Sequence, residues 1–155
     1  MSAAPGHPRQ FRTAVRQGDG NSSTGNLSAS ILARLLTLAK QRGDDYSLLL
    51  NRFALERLLF RISTSAHGSR FLLKGALLFV LWYGEPHRST RDADLLGFGP
   101  DDEANLTATF RDIAAMNVGD GIVFDPDSVK ADAIREDNTY GGTRITLVAH
   151  IGSAR

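Results

Sequence analysis

Residues 71–83, FLLKGALLFVLWY, form the most apolar stretch of the chain, and a lysine and a glycine interrupt it after three residues. Because a glycine in such a run supplies a turn, we expect a short strand over 70–74 and a helix over 76–83, ended by Gly84 and Pro86. The uninterrupted part is well short of the roughly 20 residues that a membrane helix needs. The stretch therefore predicts a strand, a glycine turn and a helix, and no membrane span.

Asp92 and Asp94 lie in a second predicted strand, RDADLLGF, which covers residues 91–98. Side chains alternate between the two faces of a strand. One face carries four polar residues, Arg88, Thr90, Asp92 and Asp94. Two adjacent carboxylates repel each other unless a cation lies between them, and carboxylate oxygens suit Mg²⁺ or Mn²⁺. The polar face therefore predicts a divalent metal site, with two surface aspartates near arginines as the alternative.

The spacing of this pair is weak evidence by itself. The chain contains a second Asp-x-Asp pair, Asp125-Pro126-Asp127, in which the proline favours a simple turn. The context of Asp92 and Asp94 on a predicted strand is what distinguishes the first pair.

Lys74, Gly75 and Ala76 form a candidate phosphate site at the strand-to-helix turn. The first N–H groups of a helix have no partner within the helix and bind anions readily, and a glycine lets the backbone approach a phosphate closely. The lysine adds a positive charge. A tight turn with a lysine stem lying on the surface is the alternative.

The remaining pattern predicts an α+β fold. Apolar residues at helical spacing predict a helix from Leu27 to Arg42, with Asn26 or Ser28 as the N-cap. A second helix begins after Asp44 or Asp45 and runs to about Ile62, with Arg57 and Arg61 on the solvent side. A third covers residues 100–116, where acidic residues occupy the favourable N-terminal end.

The C-terminal part predicts β-structure. Residues 121–124, 128–134 and 143–151 read as strands of an antiparallel meander, with turns at residues 125–127 and 140–142. We expect a mixed or antiparallel sheet with the N-terminal helices packed on it.

Composition indicates the cellular environment of the protein and which residues are folded. The chain has no cysteine, which excludes a disulfide framework and a thiolate zinc site and fits a cytoplasmic protein. Residues 1–25 are rich in glycine, serine and arginine, so we expect a disordered basic tail followed by a folded core over residues 26–155.

A glycine-turn helix followed by a strand with Asp-x-Asp resembles the nucleotidyltransferase core of the DNA polymerase β superfamily. Four segments resemble successive blocks of the AbiEii/AbiGii toxin family, and the resemblance covers about residues 27–155. These segments are NRFALERLLFRIS, RFLLKGALLFVLWYGEPHRSTRDADLLGFG, IVFDPDSVKADAIRED and YGGTRITLVAHIGSAR. The Lys-Gly pair followed by Arg-x-Thr-x-Asp-x-Asp is the most specific part.

The resemblance implies a bacterial toxin nucleotidyltransferase of a type IV toxin–antitoxin or abortive-infection system. Such an enzyme transfers a nucleotide from an NTP to an RNA acceptor such as tRNA, uses Mg²⁺ or Mn²⁺, and has a cognate antitoxin. The resemblance assigns Asp92 and Asp94 to metal binding and catalysis. It assigns the phosphates of the nucleotide to five residues, Lys74, Gly75, Ala76, Arg88 and Thr90.

The sequence departs from the family pattern at two places. Ala76 stands where the family has a serine after the glycine, so backbone N–H groups replace a hydroxyl contact to phosphate. The third carboxylate and a lysine-bearing helix are expected beyond Arg155. Two other functions therefore stay open: a non-catalytic remnant that binds nucleotide or a partner protein, and a metal-dependent phosphodiesterase.

Overall fold

The computed structural model describes residues 22–78, 92–134 and 142–152, and these parts form an α+β fold as predicted. The helices are α1 (Ser22–Arg42), α2 (Tyr46–Thr64) and α3 (Glu103–Ala114), and a 3-10 turn covers Gly68–Arg70. The strands are β1 (Phe71–Lys74), β2 (Asp94–Gly97), β3 (Val123–Ile134) and β4 (Gly142–His150). None of the helices in the described ranges has both the length and the apolar content to cross a membrane.

Helix α1 begins earlier than predicted. It starts at Ser22 instead of Leu27, so Asn26 and Ser28 lie inside the helix and the N-cap prediction was wrong. Small polar residues continue a helix without adding to its apolar periodicity, which is why the sequence did not mark the first turn. The predicted disorder of the N-terminal tail concerns mainly residues 1–21, which lie outside the described residues.

Helix α1 packs against the ends of β3 and β4. The buried Ser28 hydroxyl donates a hydrogen bond to the carbonyl of Gly121 at 2.8 Å. Gly121 has a φ of +77°, and a Cβ there would lie 2.6 Å from Cδ1 of Ile31. A Cβ on Gly152 would lie 3.4 Å from Cβ of Ser28. The glycine at position 121 therefore lets the helix approach closely, whereas the distance at position 152 is an ordinary van der Waals contact.

Helix α2 begins at the predicted cap, because the Asp45 carboxylate accepts the Ser47 N–H at 2.7 Å. Its buried face differs from the prediction. Arg61 has 1% of its side chain exposed and ranks among the most buried residues of the described fold, so its predicted place on the solvent side was wrong. Burial is tolerated because both ends of the guanidinium find acceptors, including the carboxylate of Asp120.

The two sheets of the described chain are separate antiparallel pairs, β1 with β2 and β3 with β4. The predicted reversal at residues 125–127 was wrong, since β3 runs through it as one strand. The register instead shifts between Asp125, which pairs with Val148, and Lys130, which pairs with Thr146. Between these two pairs β3 advances by five residues and β4 by only two. The proline therefore forms a bulge, in which Ser128 donates to the Asp125 carbonyl at 2.6 Å.

The core lies between α2, α3 and the β3–β4 sheet. It contains nine buried residues, Leu58, Ile62, Phe110, Ile113, Ala114, Ile122, Phe124, Val129 and Ile151. The β1–β2 sheet joins this core through Phe71, whose ring meets that of Phe110 at 5.4 Å between centroids. One face of the small sheet is thereby covered, and the opposite face stays open to solvent.

Candidate functional site

The predicted strand and glycine turn are present where the sequence placed them, and the described part of the predicted helix begins directly after the turn. Strand β1 ends at Lys74, and Gly75 follows with a φ of +76°, a conformation that favours glycine. Residues 76–78 are helical, and the Leu78 N–H donates to the Gly75 carbonyl at 3.2 Å. The rest of the predicted helix lies outside the described residues. Lys74, Gly75 and Ala76 are all exposed, so the turn is open to a ligand.

The register of β1 and β2 brings the two sequence elements together. The strands are antiparallel, and Lys74 lies directly opposite Asp94. Side chains opposite each other in such a pair share one face of the sheet, so the ammonium and the carboxylate belong to the same face. Among the described residues no ion pair joins Lys74 to Asp94.

Gly75 and Asp94 make the tightest approach in this site. A Cβ on Gly75 would lie 3.1 Å from both Cβ and Cγ of Asp94, and closer still to its carboxylate oxygen. Glycine is thus required at position 75 for two separate reasons, the positive φ and the contact with Asp94. The turn that predicts phosphate binding and the carboxylate that predicts metal binding are therefore immediate neighbours.

The structure describes part of the predicted polar face. Asp94 is the first residue of β2, and Asp92 precedes the strand by two positions. Both are exposed, while Ala93 between them is half-buried, which agrees with the predicted alternation. Arg88 and Thr90 lie outside the described residues, so their predicted place beside the aspartates stays a prediction.

The residues present fit a divalent cation that is shared with a substrate. The described residues contain no cluster of three or more Asp, Glu, His or Cys side chains able to hold a metal alone. Mg²⁺ characteristically takes one or two protein carboxylates and fills its other positions with water and substrate phosphates. Asp92 and Asp94, exposed beside an open glycine turn, offer that donor set.

Arg70 anchors the segment that follows β2, a role that sequence reasoning missed. Its carbonyl accepts the Phe98 N–H at 2.8 Å, and its Nε donates to the Phe98 carbonyl at 3.3 Å. Its Nη2 donates to the Pro100 carbonyl at 2.8 Å. Its guanidinium also binds the side chains of Asn105 and Thr109 on α3. These partners lie 28 to 39 positions later in the chain, so no local pattern marks them.

Comparison with known proteins identifies the family. The family model described as nucleotidyl transferase AbiEii toxin of type IV toxin–antitoxin systems matches residues 57–155, which is more than half of the chain. The match begins within α2 and includes β1, β2, α3, β3 and β4, and so contains the Gly75 turn and the aspartate pair. No curated protein and no solved structure matches the chain significantly. The chain belongs to the AbiEii family of toxin nucleotidyltransferases.

Proposed function

We propose that this chain binds an NTP with Mg²⁺ or Mn²⁺ at the Gly75 turn and transfers its nucleotide to an RNA acceptor such as the end of a tRNA. The observation that carries the proposal is the contact of Gly75 with Asp94, with Lys74 opposite on the same face. In this arrangement the glycine turn, the Asp94 carboxylate and the Lys74 ammonium lie beside each other, as binding of a metal-bound triphosphate requires.

Each residue has a distinct part in this proposal. Asp92 and Asp94 would hold the divalent cation, which when bound neutralises the triphosphate and orients it for in-line displacement. Lys74 would pair with phosphate oxygens that the cation leaves uncovered. Backbone N–H groups at Gly75 and Ala76 would bind phosphate directly, because Ala76 has no hydroxyl to offer.

In the reaction, the 3′-hydroxyl oxygen of the RNA bonds to the α-phosphorus of the NTP, and the bond to the bridging oxygen of the pyrophosphate breaks. The hydroxyl proton passes to a carboxylate or to water, and pyrophosphate leaves. We place the protein in the bacterial cytoplasm with a cognate antitoxin, because the family consists of type IV toxin–antitoxin components.

Calorimetric titration with Mn²⁺-NTP tests the site. We expect Asp92→Asn and Asp94→Asn to abolish metal-dependent NTP binding without lowering the melting temperature, since each removes like-charge repulsion. Asp127→Asn is the matched control, because Asp127 is an exposed member of the other Asp-x-Asp pair. Equal affinities in all four proteins would exclude this metal site.

The transfer step needs its own assay. Incubation with tRNA, Mg²⁺ and each labelled NTP should label the RNA in the wild type and not in the Asp94→Asn variant. Cleavage of RNA without any NTP requirement would instead identify a metal-dependent phosphodiesterase.

A further inference from the structure

The open face of the β1–β2 sheet carries an apolar patch beside the charged site. Leu72 lies directly opposite Leu96, and these side chains are 58% and 45% exposed. Phe98 follows at the next alternate position after Leu96 and is 52% exposed. Large apolar side chains grouped in this way on a folded surface indicate a binding surface, in contrast to single exposed residues.

The patch and the charged site are continuous. Side chains on one face of a strand recur every second residue, at a spacing of roughly 7 Å. Leu72 and Leu96 are therefore one step along the sheet from Lys74 and Asp94, and Phe98 is about two steps away. The whole face is charged at the glycine turn and apolar at its other end, so its ligand should also have one charged and one flat apolar part.

We propose that the apolar patch, Leu72, Leu96 and Phe98, holds the base and ribose of the NTP whose triphosphate lies at the Gly75 turn. The inference rests on the proposed function, since it takes the position of the phosphates from that site. A nucleotide has the required polarity along its length, and its base presents an apolar face that packs on aliphatic and aromatic side chains.

The patch offers no groups that read the edge of a base. Its three side chains carry no hydrogen-bonding atoms, and the strand N–H and C=O groups lie in the plane of the sheet. The N–H and carbonyl of Phe98 are both bonded to Arg70. The base is therefore bound through its flat face and not through its hydrogen-bonding edge. Because every base has such a face, the patch discriminates little between the four NTPs.

Comparing two ligands separates the patch from the phosphate site. We expect wild type to bind Mg²⁺-NTP more tightly than Mg²⁺ with inorganic triphosphate. Leu72→Thr and Leu96→Thr keep a strand-forming residue and should weaken NTP binding about five- to tenfold, with triphosphate affinity unchanged. Val123→Thr is the matched control, because Val123 is 63% exposed on β3 and lies outside the patch.

Each negative result of these binding experiments would overturn a different part of the proposal. If wild type binds neither ligand, the phosphate site is wrong and this inference falls with it. If triphosphate binds normally but the Leu72 and Leu96 variants keep full NTP affinity, the proposed function stands and only the place of the nucleoside is overturned. Sedimentation gives the remaining outcome, since a wild-type dimer that Leu96→Thr dissociates would assign the patch to a second copy and overturn the inference.

Discussion

Arg61 binds both carboxylate oxygens of Asp120, at 3.0 and 2.9 Å, although the two residues lie 59 positions apart. The remaining guanidinium N–H groups donate to the carbonyls of Arg57, Met116 and Ile122. Arg57 adds a second ion pair to the same carboxylate at 2.6 Å. Asp120 thus fixes the segment after α3 onto α2, and it is the only carboxylate that contacts Arg61 in the described structure.

Removing this carboxylate should be costly. Asp120→Ala leaves a buried guanidinium without its counter-ion, so we expect a loss of roughly 3 to 5 kcal/mol in the free energy of unfolding. Glu56→Ala is the control, since it breaks the exposed Arg52–Glu56 pair on α2, the helix that also carries Arg61. That pair should contribute only about 0.3 to 0.5 kcal/mol. Urea unfolding measures both, and similar losses in the two variants would contradict the assigned role of Asp120.

The same ion pair predicts the acid sensitivity of the fold. Burial alone raises the pKa of Asp120, but hydrogen bonds and charges from Arg61 and Arg57 outweigh it and hold the pKa below the ordinary value of an aspartate. Because the folded-state pKa is the lower one, the carboxylate stabilises the fold above the unfolded-state pKa and ceases to do so as the pH falls through the folded-state pKa. The stability difference between wild type and Asp120→Asn should stay constant from neutral pH to about pH 5 and shrink below about pH 4. A difference that does not change with pH would exclude this linkage.

Gly75→Ala should damage both the fold and the metal site. The positive φ costs an alanine roughly 1 to 2 kcal/mol, and the new Cβ also displaces Asp94. Gly43→Ala isolates the first effect, because Gly43 has a φ of +70° and no atom within 4 Å of its ideal Cβ. We expect both variants to lose stability and only Gly75→Ala to lose Mn²⁺ affinity. Unchanged Mn²⁺ affinity in Gly75→Ala would separate the turn from the carboxylate.

The bulge in β3 depends on one hydroxyl. Ser128 donates to the Asp125 carbonyl and accepts the Val148 N–H at 2.8 Å, which replaces a ladder bond that the bulge removes. Ser128→Ala leaves that half-buried N–H without a partner, so we expect a loss of about 1 to 3 kcal/mol. Ser63→Ala, at an exposed position of α2, should change stability by less than about 0.5 kcal/mol. Thermal unfolding of the two variants makes the comparison.

Arg70 should control the order of the segment after β2. Arg70→Ala removes the bonds to the Phe98 and Pro100 carbonyls, so we expect faster amide exchange over residues 98–102. Arg52→Ala, which loses only an exposed pair on α2, should leave that exchange unchanged. Equal exchange in wild type and Arg70→Ala would show that the segment is held without the guanidinium.

Structural features that depend on local sequence signals could be predicted, and pairings between distant residues could not. The glycine turn at Gly75 and the cap at Asp45 each depend on residues within a few positions, and both were predicted. The contact of Gly75 with Asp94 depends on the strand register, which no local pattern specifies. Arg61 was misplaced for the same reason, because a helical pattern does not reveal a carboxylate 59 positions away. At Pro126 the proline marked an irregularity correctly, but a bulge and a reversal share that signal.

The position of α1 in the fold also affects how the chain folds during its synthesis. Helix α1 contacts α2, which follows it directly, but Ser28 also bonds to Gly121 and packs at Gly152, and these two residues are synthesised more than ninety residues later. Until then the part of α1 that packs at these glycines is exposed during translation, when nascent chains are vulnerable to aggregation. Contacts so distant in sequence also slow folding, because a long loop must close before they form. Docking of α1 at the ends of β3 and β4 should therefore be a late event in biosynthesis.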